Sequence, residues 1–155
     1  MNELERFIER FSGLTRAYGT TTIVGLREDG KRKVESRVQR GEPVVDLWDK
    51  HIKGEEPSLG IIPITDDNTC RWGCIDVDDF SIDLKDLNSR LVKKELPLTL
   101  CRSKSGGAHL FLFVTEEVPA SLMRIKLIEL SASLGLASHE VFPKQTQILT
   151  ERGDT

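Results

Sequence analysis

Hydrophobic residues recur along the chain with two different periods, and these periods predict an alternation of helices and strands. Apolar residues three and four positions apart share one face of a helix, and they predict helices over residues 2–12, 43–52, 81–91 and 119–135. Runs that alternate, or that are rich in β-branched residues, predict strands over residues 20–26, 33–39, 59–64, 72–78, 98–102, 109–114 and 140–142.

Local signals indicate where these helices begin and which faces they bury. Pro43 fits the first turn of the second helix, and Ser81 fits the N-cap of the third. Pro119 opens the fourth helix. Apolar residues at helical spacing are expected to face the core. In the fourth helix these are Leu122, Ile125, Ile128 and Leu130.

The order of elements predicts the fold class. Read along the chain it is α-β-β-α-β-β-α-β-β-α-β, and two polar turns, at residues 28–30 and 66–68, are expected to join neighbouring strands. Helices mixed with hairpin-joined strands predict an α+β fold, with mostly antiparallel sheet and flanking helices. The chain has 155 residues without repeats or linkers, so we expect a single domain over residues 1–155.

Composition narrows the class of protein without selecting a function. The chain is 38% hydrophobic and 30% charged, and no apolar run approaches the length of about 20 residues that a spanning helix needs. Three cysteines leave one unpaired in any disulfide scheme, which favours a reducing, cytoplasmic setting. A net charge of −3 neither indicates nor excludes nucleic-acid binding, because a local basic patch matters more than the total.

The sequence Asp76-Val77-Asp78 ends an apolar strand and is the first candidate for chemistry. Side chains alternate along a strand, so both carboxylates face the same side. Two ionised acids that project together repel each other unless a cation lies between them, and Mg²⁺ prefers carboxylate oxygens. A pair of solvated acids at a strand end is the alternative interpretation.

A second candidate is the glycine loop, which we define as residues 103–107, and the histidine that follows it. Gly106 and Gly107 let the backbone approach an anion closely, while Lys104, Ser105 and His109 offer further donors to phosphate oxygens. An ordinary glycine hairpin with a half-buried histidine is the alternative. The third candidate is Glu140 on a short predicted strand, where a third carboxylate would complete a metal site. A surface acid is the alternative.

The order of these three segments resembles the archaeo-eukaryotic primase superfamily. In that superfamily an Asp-x-Asp strand is followed by a small-x-His strand and then by a strand that bears a third acid. The matching residues are Asp76 and Asp78, then 107–109, then Glu140. The strings WGCIDVD, SGGAH and EVFPKQ look most like the primase domains of TOTE-type conflict systems.

This resemblance implies an RRM-like primase-polymerase core that carries out template-directed nucleotidyl transfer. It implies that two divalent ions, Mg²⁺ or Mn²⁺, are held by Asp76, Asp78 and Glu140. The nucleoside triphosphate is expected to contact Ser105, Gly106, Gly107, His109 and Lys144. Single-stranded DNA template and primer, and a fused or associated helicase, are the implied macromolecular partners.

The resemblance also bears on the extent and origin of the chain. We expect one catalytic domain, or the N-terminal part of a longer domain or protein. The expected source is a bacterium, an archaeon or a mobile element, and no membrane partner is predicted.

The predicted hairpin between residues 27 and 40 carries six basic and three acidic residues, so it is locally basic in an acidic protein. Such a surface is typical of an element that follows a nucleic-acid strand. The predicted DNA-binding residues are Arg27, Lys31, Arg32, Lys33 and Arg37. A solvated hairpin face is the alternative.

Two other functions compete with a polymerase. The first is a non-catalytic module of the same fold that binds nucleotide or single-stranded nucleic acid. Such a module needs exposed aromatic residues on its sheet, and the phenylalanines are expected to be buried. The second is another Asp-x-Asp metal enzyme, such as a sugar-nucleotide transferase, which leaves the SGGAH and EVFPKQ segments without a role.

Overall fold

The computed structural model describes residues 1–28, 30, 32–104 and 106–149. Within this part of the chain there are four helices: α1 (Glu3–Arg10), α2 (Val45–Ile52), α3 (Leu84–Lys93) and α4 (Ala120–Ser133). The strands of the same described ranges are β1 (Ala17–Leu26), β2 (Arg32–Arg40), β3 (Ser58–Gly60), β4 (Thr69–Val77), β5 (Thr99–Arg102), β6 (Ala108–Pro119) and β7 (Glu140–Phe142). Their order along the chain is the predicted one.

The strands form two antiparallel sheets, which confirms the predicted α+β class. The three-stranded sheet has the order β2-β1-β3, and the four-stranded sheet has the order β5-β6-β4-β7. The expectation that strand 59–64 pairs with strand 72–78 is wrong. Only residues 58–60 are extended in a ladder, and they pair with β1 rather than β4. The predicted turn at residues 66–68 is present, and in it the Asn68 amide donates to the carbonyl of Thr65 at 3.0 Å.

One face of the four-stranded sheet packs against α3 and α4 and forms the main core. Ile75, Val77 and Leu110 lie on this face and are fully buried together with Leu87 of α3 and Leu127 of α4. Because side chains alternate along a strand, the neighbouring residues of β4 and β6 point to the opposite face.

The prediction for the inner face of α4 is mostly wrong. Leu122, Ile125 and Ile128 are 46–56% exposed, whereas Met123 and Leu127 are buried, as is the predicted Leu130. Apolar residues surround most of this helix, so two different faces satisfy helical spacing. The position of the sheet selects the face that contains Met123 and Leu127.

A smaller cluster joins α1 and α2 to the three-stranded sheet. Leu47, Trp48 and Leu59 are buried in it. Phe11, at the C-terminal end of α1, extends this cluster to the four-stranded sheet, where its ring lies 5.3 Å from Trp72 and 5.2 Å from Phe111. Helix α1 therefore lies against the face of the four-stranded sheet that α3 and α4 leave free.

Two helix starts differ from the sequence prediction. Helix α2 begins at Val45, two residues after Pro43. Helix α3 is capped by Asp83, whose carboxylate accepts from the amides of Lys85 and Asp86. Ser81 is instead bonded to Asp79, which accepts from both its amide and its hydroxyl. Since both Ser and Asp are good N-caps, local sequence did not separate the two positions.

Within the described residues, no helix combines the length and the apolar character that crossing a membrane requires.

Candidate active site

Two of the predicted acids, Asp76 and Glu140, lie in one row with the predicted histidine across three adjacent strands of the four-stranded sheet. Asp76 of β4 is the direct partner of His109 on β6 and of Glu140 on β7. Paired residues of antiparallel strands project on the same face, with Cβ atoms about 4.5–5.5 Å apart. Cys101 of β5 continues the row on the far side of His109. The fold thus brings together residues that are separated by up to 64 positions in the sequence.

Asp76 is the central residue of this row, and its side chain is only 25% exposed. Its Oδ1 atom lies 3.3 Å from Nε2 of His109, whose side chain is 38% exposed. The residues on either side of Asp76, Ile75 and Val77, face the core and are fully buried. This burial fixes β4 in place and holds the Asp76 carboxylate toward the free face of the sheet.

Asp78 follows the last residue of β4 and is exposed. Continuing the alternation of β4 by one residue puts Asp78 on the Asp76 side. The chain then turns, and the hydrogen bonds from Ser81 hold the pKa of the Asp79 carboxyl below its usual range. Asp79 is therefore part of this turn, whereas Asp78 lies at the edge of the row.

Glu140 is exposed and makes an ion pair with Lys144, in which Nζ lies 2.8 Å from Oε2 and 2.9 Å from Oε1. The same Nζ atom lies 5.0 Å from the centre of the Phe142 ring. Ion pairs this exposed contribute about 0–1 kcal/mol. Glu140 is beside Asp76 in the sheet, but its side chain and that of Lys144 line a pocket next to α4, together with Arg124 and Ile128. Glu140 can exchange this exposed partner at low cost.

The glycine loop connects β5 to β6 directly beside this row. The Gly106 amide donates to the Ser103 carbonyl at 3.1 Å, and the Ser103 amide donates to the Gly107 carbonyl at 3.0 Å. Gly106 has φ +107°, a conformation that side chains disfavour. Ser105, the predicted phosphate ligand, lies outside the described residues.

Lys104 ties the glycine loop to the other sheet. Its Nζ atom lies 3.6 Å from Oε1 of Glu56, whose carboxylate also accepts from the amide of Ile23 in β1 at 3.2 Å. A lysine in this loop was recognisable in the sequence as a phosphate donor, but its partner was not. The ion pair joins residues 48 positions apart, and no local pattern indicates it.

A cleft of about 790 Å³ opens in front of the part of the row that runs from Asp76 through His109 to Cys101. Asp76 and His109 line it, together with aromatic residues from both halves of the molecule: Phe7, Phe11, Trp48, Trp72, Phe111 and Phe142. Three cations, Arg32, Arg102 and Lys104, also line it. The expectation that the phenylalanines are buried is wrong: Phe80 is 54% exposed and the other five are half-buried.

The predicted DNA-binding residues of the hairpin are exposed, but they do not form one patch. Arg27, Arg32, Lys33 and Arg37 are exposed, and Lys31 lies outside the described residues. Arg37 donates to Glu35 at 2.7 Å, and this contact raises the pKa of the Arg37 guanidinium. Alternation along β2 separates Arg32 from Lys33 and Arg37.

The carboxylates of Asp76, Asp78 and Glu140 are the candidate ligands of a divalent ion. Within the described ranges no three Asp, Glu, His or Cys side chains converge on a single point. The backbone nevertheless fits such a site, because Asp76 and Glu140 are cross-strand partners and Asp78 is two residues farther on. To bind an ion together with the aspartates, Glu140 would have to break its exposed ion pair with Lys144.

The three cysteines differ sharply in environment, and all are free thiols. Burial raises the pKa of Cys74 to about 12, with a smaller contribution from the Asp76 carboxylate. Burial also raises the pKa of Cys70 to about 11, and it raises the pKa of Cys101. Cys101 is exposed and lines the cleft.

Alkylation of the native protein at neutral pH is expected to modify Cys101 at least about tenfold faster than Cys70 or Cys74. The thiolate is the reactive form, and the two buried thiols combine low access with a raised pKa. Peptide mass spectrometry after timed iodoacetamide treatment measures the three rates, and the denatured protein serves as the control. Equal labelling of Cys74 and Cys101 would contradict the burial of β4.

Comparison with known proteins identifies one family. A family model described as the archaeo-eukaryotic primase domain of the TOTE conflict system matches residues 33–152, well over half of the chain. The matched range starts within β2 and includes the Asp76 row, the glycine loop and Lys144. No match was found among curated proteins.

Proposed function

We propose that this chain, which belongs to the archaeo-eukaryotic primase domain family of TOTE conflict systems, carries out template-directed nucleotidyl transfer as a DNA primase or polymerase. The observation that carries the proposal is the row of Glu140, Asp76 and His109 on adjacent strands, beside a cleft that three basic side chains line. In this reaction a 3′-hydroxyl oxygen bonds to the α-phosphorus of a nucleoside triphosphate, and the bond to pyrophosphate breaks. Negative charge on the phosphate oxygens requires fixed cations and donors.

We assign divalent-ion binding to Asp76, Asp78 and Glu140. Their oxygens are the ligands that Mg²⁺ and Mn²⁺ prefer. When bound, two such ions supply a lowered pKa for the attacking hydroxyl and compensate charge on the phosphates. Glu140 gives up the exposed Lys144 contact to reach this arrangement, and Lys144 is then released to pair with a phosphate.

The remaining residues of the site hold the triphosphate. His109 lies against the Asp76 carboxylate, and its imidazole donates to a phosphate oxygen beside it. Lys104 exchanges the 3.6 Å contact with Glu56 for a phosphate, which carries more charge than a carboxylate. Gly106 and Gly107 keep the loop backbone close to the phosphates, and Ser105 stays a predicted ligand.

The partners follow from the reaction. Nucleoside triphosphates are the small-molecule substrates, and the cleft volume of about 790 Å³ is sufficient for a ligand of that size. Single-stranded DNA serves as template and primer, held in part by the basic hairpin. A fused or associated helicase would supply the single strand.

The test is nucleotide incorporation on primed and unprimed single-stranded DNA, with Mg²⁺ or Mn²⁺, for the wild type and for Asp76→Ala/Asp78→Ala. We expect metal-dependent product from the wild type and none from the variant. Product on the unprimed strand identifies a primase, and product on the primed strand alone identifies a polymerase.

Binding measurements separate catalysis from the competing function. A wild type that binds triphosphate and single-stranded DNA, but forms no product with either metal, would contradict the polymerase. That result would support a non-catalytic binding module of the same fold. Equal product from the wild type and from the double variant would contradict the assignment of the two aspartates.

A further inference from the structure

The β1–β2 hairpin has two faces of different character. Alternation along β2 puts Arg32, Val34, Ser36, Val38 and Arg40 on one face. The β1 residues paired with them are Leu26, Ile23, Thr21, Gly19 and Ala17, and Gly60 of β3 continues the row. Ala17, opposite Arg40, is buried in the main core. A hydrogen bond of 3.0 Å between the hydroxyls of Thr21 and Ser36 joins the two strands on this side. We call this surface the Arg32–Arg40 face.

Every charged side chain on the strands of the Arg32–Arg40 face is basic. The Glu56 carboxylate, which accepts from the Ile23 amide at 3.2 Å, is paired with Lys104. Among its described residues there is no acid, and neither arginine forms an ion pair within the described part of the chain. The opposite face carries Lys33 and Arg37, but Glu35 lies between them and binds Arg37. That opposite face is also partly covered, because Tyr18 packs against the cluster formed by α1 and α2.

The shape of the Arg32–Arg40 face suits an extended chain. Gly19 lies opposite Gly60, and this pair leaves the centre of the sheet without side chains. Val34 and Val38 are 47% and 62% exposed and supply apolar contact area. The eight-residue separation of the two arginines corresponds to about 26 Å along a strand. Arg32 also lines the cleft, so one end of the face meets the candidate active site.

We propose that the Arg32–Arg40 face binds the single-stranded template and directs it into the cleft. This inference rests on the proposed polymerase function. Arg32 and Arg40 bind phosphates at the two ends, and Val34 and Val38 contact sugars and bases. The hydrogen-bonded hydroxyl pair of Thr21 and Ser36 donates its one free proton to the sugar-phosphate backbone. Charge complementarity selects a polyanion, and single-strand binding folds hold about 4–16 nucleotides. Of the basic residues predicted from the sequence, Arg32 belongs to this face and Lys33 and Arg37 do not.

Two matched double variants test the inference, because each removes two positive charges from the same strand. Binding of a fluorescent oligothymidylate is measured by anisotropy at several salt concentrations. We expect Arg32→Ala/Arg40→Ala to weaken binding by at least about tenfold. The slope of log K against log salt should fall by about 1.4, as expected for two lost single-strand phosphate contacts. Lys33→Ala/Arg37→Ala should weaken binding by about twofold.

A third variant tests the face without removing an arginine. Val38→Glu introduces an acid between Arg40 and Ser36 at an exposed position, and it should weaken oligothymidylate binding severalfold with an unchanged melting temperature. Equal losses in the two double variants, or unimpaired binding by Val38→Glu, would overturn the inference.

The binding and incorporation experiments distinguish a failure of the Arg32–Arg40 face from a failure of the proposed polymerase function. A wild type that binds oligothymidylate through this face but incorporates no nucleotide would contradict the polymerase function. The same result would still support strand binding by the Arg32–Arg40 face. A wild type that incorporates nucleotides, while Arg32→Ala/Arg40→Ala binds the strand as tightly as Lys33→Ala/Arg37→Ala, would contradict the face alone.

Discussion

Replacing Asp76 by asparagine is expected to reduce metal-dependent nucleotide incorporation by about 10²–10³-fold, the usual cost of removing one preorganised electrostatic group from a site. Asp76 lies at the centre of the row, between His109 and Glu140, and asparagine keeps its shape while removing its charge. A neutral amide is a poor ligand for a hard divalent ion. It also changes the contact with His109, since the amide group presents a donor as well as an acceptor.

Asp79→Asn is the matched control for this prediction. The two aspartates are three residues apart, and each change removes one negative charge. Asp79 lies in the turn after β4, where it accepts from the amide and hydroxyl of Ser81. An asparagine oxygen still accepts these bonds, so we expect activity within about twofold of the wild type.

Thermal unfolding decides whether Asp76 acts in chemistry or in folding. The Asp76 side chain is partly exposed and its contact with His109 is 3.3 Å, so the melting temperature of Asp76→Asn should stay within a few degrees of the wild type. A large fall in melting temperature would identify Asp76 as structural. Full activity of a folded Asp76→Asn variant would show that the row is not part of the active site.

Gly107→Ala is expected to lower the free energy of unfolding by about 3 kcal/mol, the upper part of the range for overpacking a close contact. Gly107 is the buried last residue of the glycine loop, and a Cβ atom there would overlap the carbonyl group of Val77 in the adjacent strand. Neither the Val77 carbonyl nor the Gly107 backbone can shift easily. Val77 is paired with Ala108 in the β4–β6 ladder, and the Gly107 carbonyl accepts from Ser103 at 3.0 Å.

Gly60→Ala serves as the control, because it adds the same methyl group to a strand with room for it. Its Cβ atom would lie 3.8 and 3.9 Å from atoms of Gly19, which are ordinary contact distances. We expect a change below about 1 kcal/mol. Urea unfolding followed by circular dichroism measures both values, and equal stability of the two variants would contradict the close approach at Val77.

Gly107 shows why two glycines in one loop were an ambiguous signal. The sequence indicated a backbone that approaches an anion. In the structure Gly106 has the positive φ that a tight turn needs, and Gly107 is small because another strand's carbonyl lies against it. A phosphate loop and a tight strand connection use the same residues, so the pattern does not distinguish them.

The local pattern was sufficient to predict the number, type and order of the elements. Helix and strand formation depend on residues within a few positions of each other, and alternation put Asp76 on the face opposite Ile75 and Val77 before any fold was known. The order of the three motifs likewise indicated the family, because the order of motifs along a chain can be read without knowing how the strands are arranged.

Only the tertiary structure decided which distant segments meet. Strand β3 pairs with β1 instead of β4, and α4 buries Met123 and Leu127 instead of Ile125 and Ile128, because long-range packing selects among local alternatives of similar energy. The alignment of Asp76 with His109 and Glu140 depends on strand register, and the Lys104–Glu56 contact depends on how the two sheets are brought together. Register is set by pairings between residues far apart in the chain, and no periodicity within a single segment contains that information.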